Sequence, residues 1–180
     1  MEKPSSYCEY VNSLPPGNVH RVYHDTQYGF PIESDNELFG RLILEINQAG
    51  LSWTTILNKQ DNFRRAYSNF DIQEIANYDD LDIERLLADA GIIRNKLKIN
   101  AAIFNAQKVR ELQKDFGSFK EWLDSRGKLE LAEWVKLFKK YFKFTGGEIT
   151  NEFLMSSGYL EGAHVNTCPV YHQINSGKHS

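Results

Sequence analysis

A chain of 180 residues with 41% hydrophobic and 25% charged content is long enough to bury a core and is not a disordered tail. Its 21 Lys+Arg against 24 Asp+Glu give a formal charge of -3, which excludes a global polycation, so a surface for any polyanion has to be local. Two Cys can neither build a disulfide scaffold nor ligate an iron–sulfur cluster by themselves, and no apolar run approaches the roughly 18 residues that cross a bilayer. The opening Met1-Glu2-Lys3-Pro4 lacks the apolar stretch of a secretion signal, so a cytoplasmic protein without a membrane partner is expected.

Along the chain, residues 1–33 carry Pro4, Pro15, Pro16 and Pro31 with no 3.6-residue periodicity, which predicts an irregular N-terminal arm. The pattern changes at Ser34. Ser34-x-x-Glu37 is a capping box, and Leu38, Leu42, Ile46 and Ala49 follow at helical spacing up to Gly50. Ser52 is placed to cap the next helix, with Trp53 at its start. Asp71-x-x-Glu74, Ser118-x-x-Glu121 and Thr145-x-x-Glu148 repeat the start signal, while Gly91 and Gly158 stand where helices stop. Ile99, Ala102, Ile103, Ala106 and Val109, and then Leu131, Trp134, Val135 and Phe138, hold the i, i+3, i+4, i+7 pattern. Strand signals are nearly absent, so the fold class is all-α, a helical bundle.

Basic residues gather in Arg94-Asn95-Lys96-Leu97-Lys98, just after Gly91, and at Lys136, Lys139, Lys140 and Lys143 ahead of Gly146-Gly147. Such runs are either solvated helix faces or, beside a helix start, phosphate sites. Both cysteines lie near the chain's ends in histidine-bearing segments, Cys8 with His24 and His164-x-x-x-Cys168. Two thiolates and two imidazoles suit tetrahedral zinc. A Cys8–Cys168 disulfide or unrelated buried thiols fit the spacing as well, and His20 and His172 compete as ligands. Glu45 falls at the margin of the apolar face made by Leu38, Leu42 and Ala49. A carboxylate there is either paired with a buried Arg or Lys or held in a cleft to meet a cation or donor.

Tyr23-His24-Asp25-x-x-Tyr28-Gly29, Leu44-Glu45-x-x-Gln48-Ala49-Gly50-Leu51-Ser52-Trp53, Asp89-Ala90-Gly91-Ile92-Ile93-Arg94-x-x-x-Lys98-Ile99, Phe142-Lys143-Phe144-x-Gly146 and His164-x-x-x-Cys168 occur in that order. Together they resemble the bacterial 3-methyladenine DNA glycosylase I family, also called Tag, from about Cys8 to Cys168. The resemblance implies a single glycosylase domain over 1–180 of the helix–hairpin–helix type, with that motif at about 81–110 and a C-terminal zinc-binding arm at about 159–180. It also implies one structural Zn2+ fastening both arms through Cys8, His24, His164 and Cys168. By the same resemblance Glu45 is the catalytic carboxylate that contacts the damaged base, and Tyr23 and Trp53 bind it through a hydrogen bond and stacking. Tyr28 and Tyr10, standing where the family typically has Trp, are further substrate contacts. Gly50 and Leu51 probe the DNA where the base leaves, and Gly91, Arg94, Lys96 and Lys98 belong to the DNA-binding hairpin. The implied activity is monofunctional hydrolysis of the N-glycosidic bond of 3-methyladenine in alkylated double-stranded DNA, by a monomer that flips the base into an aromatic, acidic pocket. The competing reading is a non-catalytic or differently specific helix–hairpin–helix DNA-binding protein that keeps the structural zinc.

Overall fold

The computed structural model describes residues 3–176, so Met1 and Glu2 of the first arm and residues 177–180 of the second lie outside the described residues. The chain runs through α1 (Tyr7–Asn12), α2 (Val19–Thr26), α3 (Asp35–Gln48), α4 (Trp53–Asn58), α5 (Gln60–Ala66), α6 (Ile72–Ala76), α7 (Asp80–Ala88) and α8 (Lys96–Phe116). There follow α9 (Phe119–Asp124), α10 (Leu131–Tyr141), α11 (Gly147–Ser156) and α12 (Pro169–Ser176), with a 3₁₀ turn at Ser68–Phe70. No strand occurs among the described residues, in line with the all-α reading. The described residues divide into two compact units, one made of those within 1–31 and 154–180 and the other of Ile32–Phe153.

In the second unit the caps read from sequence form as expected at Ser34, Ser52, Asp71 and Ser118, each side chain accepting from the amide three residues on. Thr145 does not cap. Its hydroxyl donates to Phe142 O, and α11 starts later, at Gly147. Helix α3 is buried along Leu38–Asn47, and α8 buries Ile99, Ala102, Ile103, Ala106 and Val109, the periodic residues. Phe119, Trp122, Phe138, Phe142 and Phe153 pack ring on ring with centroids 5.3–6.4 Å apart. One link is invisible to periodicity. The Asp35 carboxylate, in the first turn of α3, accepts from the amides of Phe119 and Lys120 at 2.8 and 3.0 Å and so receives the start of α9.

Ser68, Asn69 and Phe70 all have positive φ, at 51, 55 and 60°, a left-handed run that a tertiary contact must hold. That contact is the Phe70 ring on Gly40: a Cβ at Gly40 would lie 2.3 Å from Phe70 Cδ2. Gly40→Ala is therefore expected to destabilise the protein by about 2–3 kcal/mol, since overpacking outweighs the gain of about 1 kcal/mol in helix propensity. A denaturant midpoint equal to or above that of the wild type would show that the ring can move aside.

In the first unit the N-terminal arm is not irregular. It folds into α1, capped by Ser6, and α2, capped by Asn18. The buried residues of α2 are His20, Tyr23 and His24, whose i, i+3, i+4 spacing is helical. Imidazoles and a phenol hide that spacing from a hydropathy count, and helices of six and eight residues are too short to repeat it.

Candidate active site and metal-binding cluster

Glu45 sits in the third turn of α3, only 4% exposed, one turn beyond Arg41, which is buried as well. It is therefore in the buried face rather than at its margin. Burial is the main force that pushes its carboxyl from the usual 4.5 up to about 8; the Glu152 carboxylate adds to the rise, and Arg41 opposes it without cancelling it. A group so placed is neutral near pH 7 when alone and becomes a carboxylate when a cation joins it.

Beyond Glu45, α3 ends at Ala49, and Gly50 turns the chain with φ +80° and open space where a Cβ would stand. The Leu51 amide donates to Gln48 O at 2.8 Å and the Gln48 side-chain amide donates to Leu51 O at 2.9 Å. Leu51 is thereby held outward, 38% exposed, on a braced turn. Ser52 then caps α4 and Trp53 opens it, half-buried.

Helices α7 and α8 flank a turn at 89–95. The Asp89 carboxylate accepts from the Gly91 amide at 2.7 Å, so this amide is already engaged within the turn. Asn95 caps α8 by accepting from the amides of Leu97 and Lys98. Arg94 and Lys96 are exposed, as a contact to phosphate requires. Lys98 departs from that expectation. It is 6% exposed, and its ammonium donates to Ala49 O at 2.7 Å and Asn47 O at 3.0 Å, at the end of α3. Its place four residues before Ala102, on the buried face of α8, is the sequence signal for this. Lys59 was not singled out by sequence, yet it donates to Ala90 O at 3.1 Å and adds a cation beside the turn. Lys136, Lys139, Lys140 and Lys143 are exposed, with the Lys143 ammonium 4.2 Å from the Phe104 ring centroid.

The other expected residues lie in the first unit. Tyr23 and Tyr28 are buried with rings 5.5 Å apart, and Tyr10 is at the surface, stacked 6.2 Å from Tyr7. Tyr7 is a member that sequence reasoning missed. It packs edge-on to Tyr28 at 5.4 Å, and its hydroxyl is 2.9 Å from His20 Nδ1, which occupies that competitor for the metal. His172 is exposed on α12.

Cys8, His24, His164 and Cys168 converge, all buried, with one donor atom from each lying within 4.8 Å of the others. Both thiols are free, so the disulfide alternative is not realised. His164 Nδ1 is 3.6 Å from Cys8 Sγ, 3.8 Å from Cys168 Sγ and 3.1 Å from His24 Nε2, and Cys168 Sγ is 3.8 Å from His24 Nε2. A tetrahedral ion with bonds of about 2.3 Å to sulfur and about 2.0–2.1 Å to nitrogen has donor–donor edges of roughly 3.3–3.8 Å. The edges from His164 Nδ1 to both sulfurs and from His24 Nε2 to Cys168 Sγ, 3.6–3.8 Å, lie in that range, the nitrogen–nitrogen edge of 3.1 Å is slightly shorter, and all four donors lie within 4.8 Å of one another. The far nitrogens settle the tautomers: His164 Nε2 is 2.6 Å from Tyr28 O, which can only accept, and His24 Nδ1 is 2.7 Å from an Asp25 carboxylate oxygen. With the outer nitrogens so engaged, the inner nitrogens of the two rings face each other at 3.1 Å, placed to ligate one cation together. Burial lowers His164 and raises Cys8, whose thiol is raised further by Cys168. The close approach of this loop needs Gly29, at φ +82°, since a Cβ there would stand 2.9 Å from Ala163 Cβ and 3.2 Å from His164 Cδ2. These four residues could bind a metal ion.

The family model described as methyladenine glycosylase matches residues 15–131, a span that holds Glu45, Trp53 and the α7–α8 turn. The chain is 32% identical to DNA-3-methyladenine glycosylase 1 of Escherichia coli strain K12, over 91% of this chain and 96% of that protein. It is 31% identical to the DNA-3-methyladenine glycosylase of Haemophilus influenzae, over 84% and 92%. A solved structure of a variant of 3-methyladenine DNA glycosylase I (TAG) in complex with 3-methyladenine superposes with a TM-score of 0.80 at 28% identity, covering 91% of this chain and 96% of that one.

Proposed function

The chain belongs to the methyladenine glycosylase family, and from that premise we propose that it hydrolyses the N-glycosidic bond of 3-methyladenine in DNA and releases the free base. The observation that carries the reading is the buried Glu45 carboxyl, one turn before the outward-held Gly50–Leu51 turn. Adenine methylated at N3 is cationic while attached to the sugar, so its bond is already weakened and little general-acid help is needed. Glu45 supplies what such a base lacks elsewhere. When the cation arrives the carboxyl gives up its proton to solvent and an ion pair forms out of water, whereas against neutral adenine it stays protonated and no ion pair forms.

The indole of Trp53 gives a face on which a cationic base stacks, worth about 0.5–2 kcal/mol. Leu51 takes the space left in the duplex, and the exposed cations Arg94 and Lys96, with Lys59 beside them, meet phosphates of alkylated double-stranded DNA. Lys98, engaged with two carbonyls, is not available to form a Schiff base, so water is the nucleophile and the strand is left intact. The aromatic contacts assigned to Tyr10, Tyr23 and Tyr28 belong to the first unit and are tested separately, by the effect of Tyr28→Trp and Tyr23→Phe on the range of bases released. The metal of the Cys8–His24–His164–Cys168 cluster is a structural zinc, favoured by the S2N2 donor set and the tetrahedral edge lengths. Zinc supplies no step of the reaction; it fixes the chain around α1, α2 and the start of α12.

Chromatography of the bases released from randomly methylated duplex should show free 3-methyladenine. A protein that binds the duplex and releases no base would overturn the reading in favour of a DNA-binding module. Among the described residues no helix is long and apolar enough to cross a membrane.

A further inference from the structure

Lys98 is a cation in the first turn of α8, where the helix dipole disfavours it, and it is buried where an ammonium is costly to desolvate. Both costs are offset at another helix end. Its Nζ donates to Asn47 O and Ala49 O, the last carbonyls of α3, where a positive charge is favoured. The same residue is held at its own amide by Asn95, the cap of α8 and the last residue of the turn after α7. Lys98 thus joins the turn that carries Arg94 and Lys96 to the root of the turn that carries Leu51, within one unit. Lys59, at the far end of α4, donates to Ala90 O and ties the same hairpin turn to the helix after Leu51, whereas Lys98 reaches the carbonyls at the root of the Leu51 turn itself; Gln48 and Leu51 brace that turn from within.

We infer that Lys98 is a positioning residue for base extrusion, fixing the Gly50–Leu51 turn relative to the hairpin that grips the DNA backbone. The inference rests on the proposed glycosylase reading. Once the hairpin holds its phosphates, the ammonium bridge sets how far and at what angle Leu51 enters the duplex; without it the α3 end frays and Leu51 is presented loosely. A misplacement of about 1 Å at such a point is enough to cost on the order of 100-fold in rate.

The test compares Lys98→Met, which keeps the stem and removes the charge, with Lys98→Arg, alone and combined with Leu51→Ala, on duplex containing 3-methyladenine. The single-turnover release rate at saturating DNA is expected to fall about 10- to 100-fold in Lys98→Met and to recover partly in Lys98→Arg. Duplex affinity and its salt slope should stay within about 3-fold and about 0.3 of wild type, because a phosphate contact would change the slope by about 0.9. In the Leu51→Ala background the loss from Lys98→Met should shrink to under about 3-fold, as two residues acting through one step are not additive. Multiplicative losses, or a lower salt slope with an unchanged release rate, would overturn the inference and return Lys98 to the phosphate contacts. If Lys98→Met does not fold, Lys98→Gln, which keeps a donor and removes the charge, carries the same comparison: a lowered release rate with intact DNA binding supports the inference, and an unchanged rate overturns it. Absence of release by the wild type itself would instead mark the glycosylase reading as the one that failed.

Discussion

Glu45→Gln should make the protein more stable above neutral pH while it loses most of its base-release activity. The folded carboxyl titrates near 8 against about 4.3–4.5 in the unfolded chain, so folding above pH 5 requires Glu45 either to take up a proton or to be buried as an anion. For a group whose pKa is raised by folding, the stability it permits is complete below pH 4.5 and is lost as pH rises through 8. The loss approaches roughly 3–5 kcal/mol. Glutamine has the same shape and no proton to lose, so the variant's advantage in melting temperature should be near zero at pH 4, grow between pH 5 and 8, and level off above. Parallel stability curves for the two proteins would mean that Glu45 is not buried as described. On the functional side, kcat/KM for 3-methyladenine in duplex should fall about 100- to 1,000-fold, in the range found when one preorganised electrostatic partner of a reacting group is removed. Duplex affinity should change little. Because the carboxylate is the form a cation needs, kcat/KM of the wild type should rise with pH and level off near 8. The limb for kcat should lie lower, since the bound cation draws the pKa down. Robust excision by the variant would remove Glu45 from the mechanism.

How much of this was legible in the sequence depends on what holds each element. Where a helix is set by its own cap and face, as at Ser34 with Leu38, Leu42 and Ile46, the sequence is enough, because both signals are local. Where a distant group decides, it is not. Asp35 receiving the amides of Phe119 and Lys120, or the Phe70 ring forbidding a Cβ at Gly40, are contacts between residues 30 or more apart, and no local pattern marks them. The α1 and α2 helices are hidden for another reason: α1 is six residues long and buries only Cys8 and Val11, and the buried face of α2 is His20, Tyr23 and His24, polar by type and buried by circumstance. In the candidate site the residue types were readable and their states were not. Arg94, Lys96 and Lys98 look alike as a basic run, yet Arg94 is exposed in the turn before the Asn95 cap, and the register that cap sets leaves Lys96 outward and turns Lys98 into the protein. Glu45 was visible as an acidic residue on an apolar face, but its neutral resting state comes from burial and from Glu152, more than 100 residues away.

Stripping the metal should unfold the first unit. The apolar cluster around the site is small, Cys8, Cys168 and Val170 with Phe30 and Ile174 against them, and two of its buried members are themselves ligands. Helices of six and eight residues do not hold without tertiary support, so the four donors are the principal cross-link among α1, α2 and the chain before α12. Without an ion the site keeps two imidazole nitrogens 3.1 Å apart and two crowded thiols, and with one it gains a share of the roughly 10–16 kcal/mol that structural zinc binding contributes at pH 7. Protein purified without chelators should carry about one zinc per chain. Chelation should lower the melting temperature by about 10 °C or more and expose two thiols to alkylation that were protected before. Cys8→Ser and Cys168→Ser should each reproduce most of that loss. Asp25→Asn, which weakens the acceptor at His24 Nδ1 and leaves the four donors in place, should lower zinc affinity by about 10- to 100-fold in a competition titration. Cobalt in place of zinc should show the absorption of a tetrahedral site with two thiolates. Metal-free protein with an unchanged melting temperature, or a Cys8→Ser variant as stable as wild type, would leave the cluster as four buried side chains that pack without an ion.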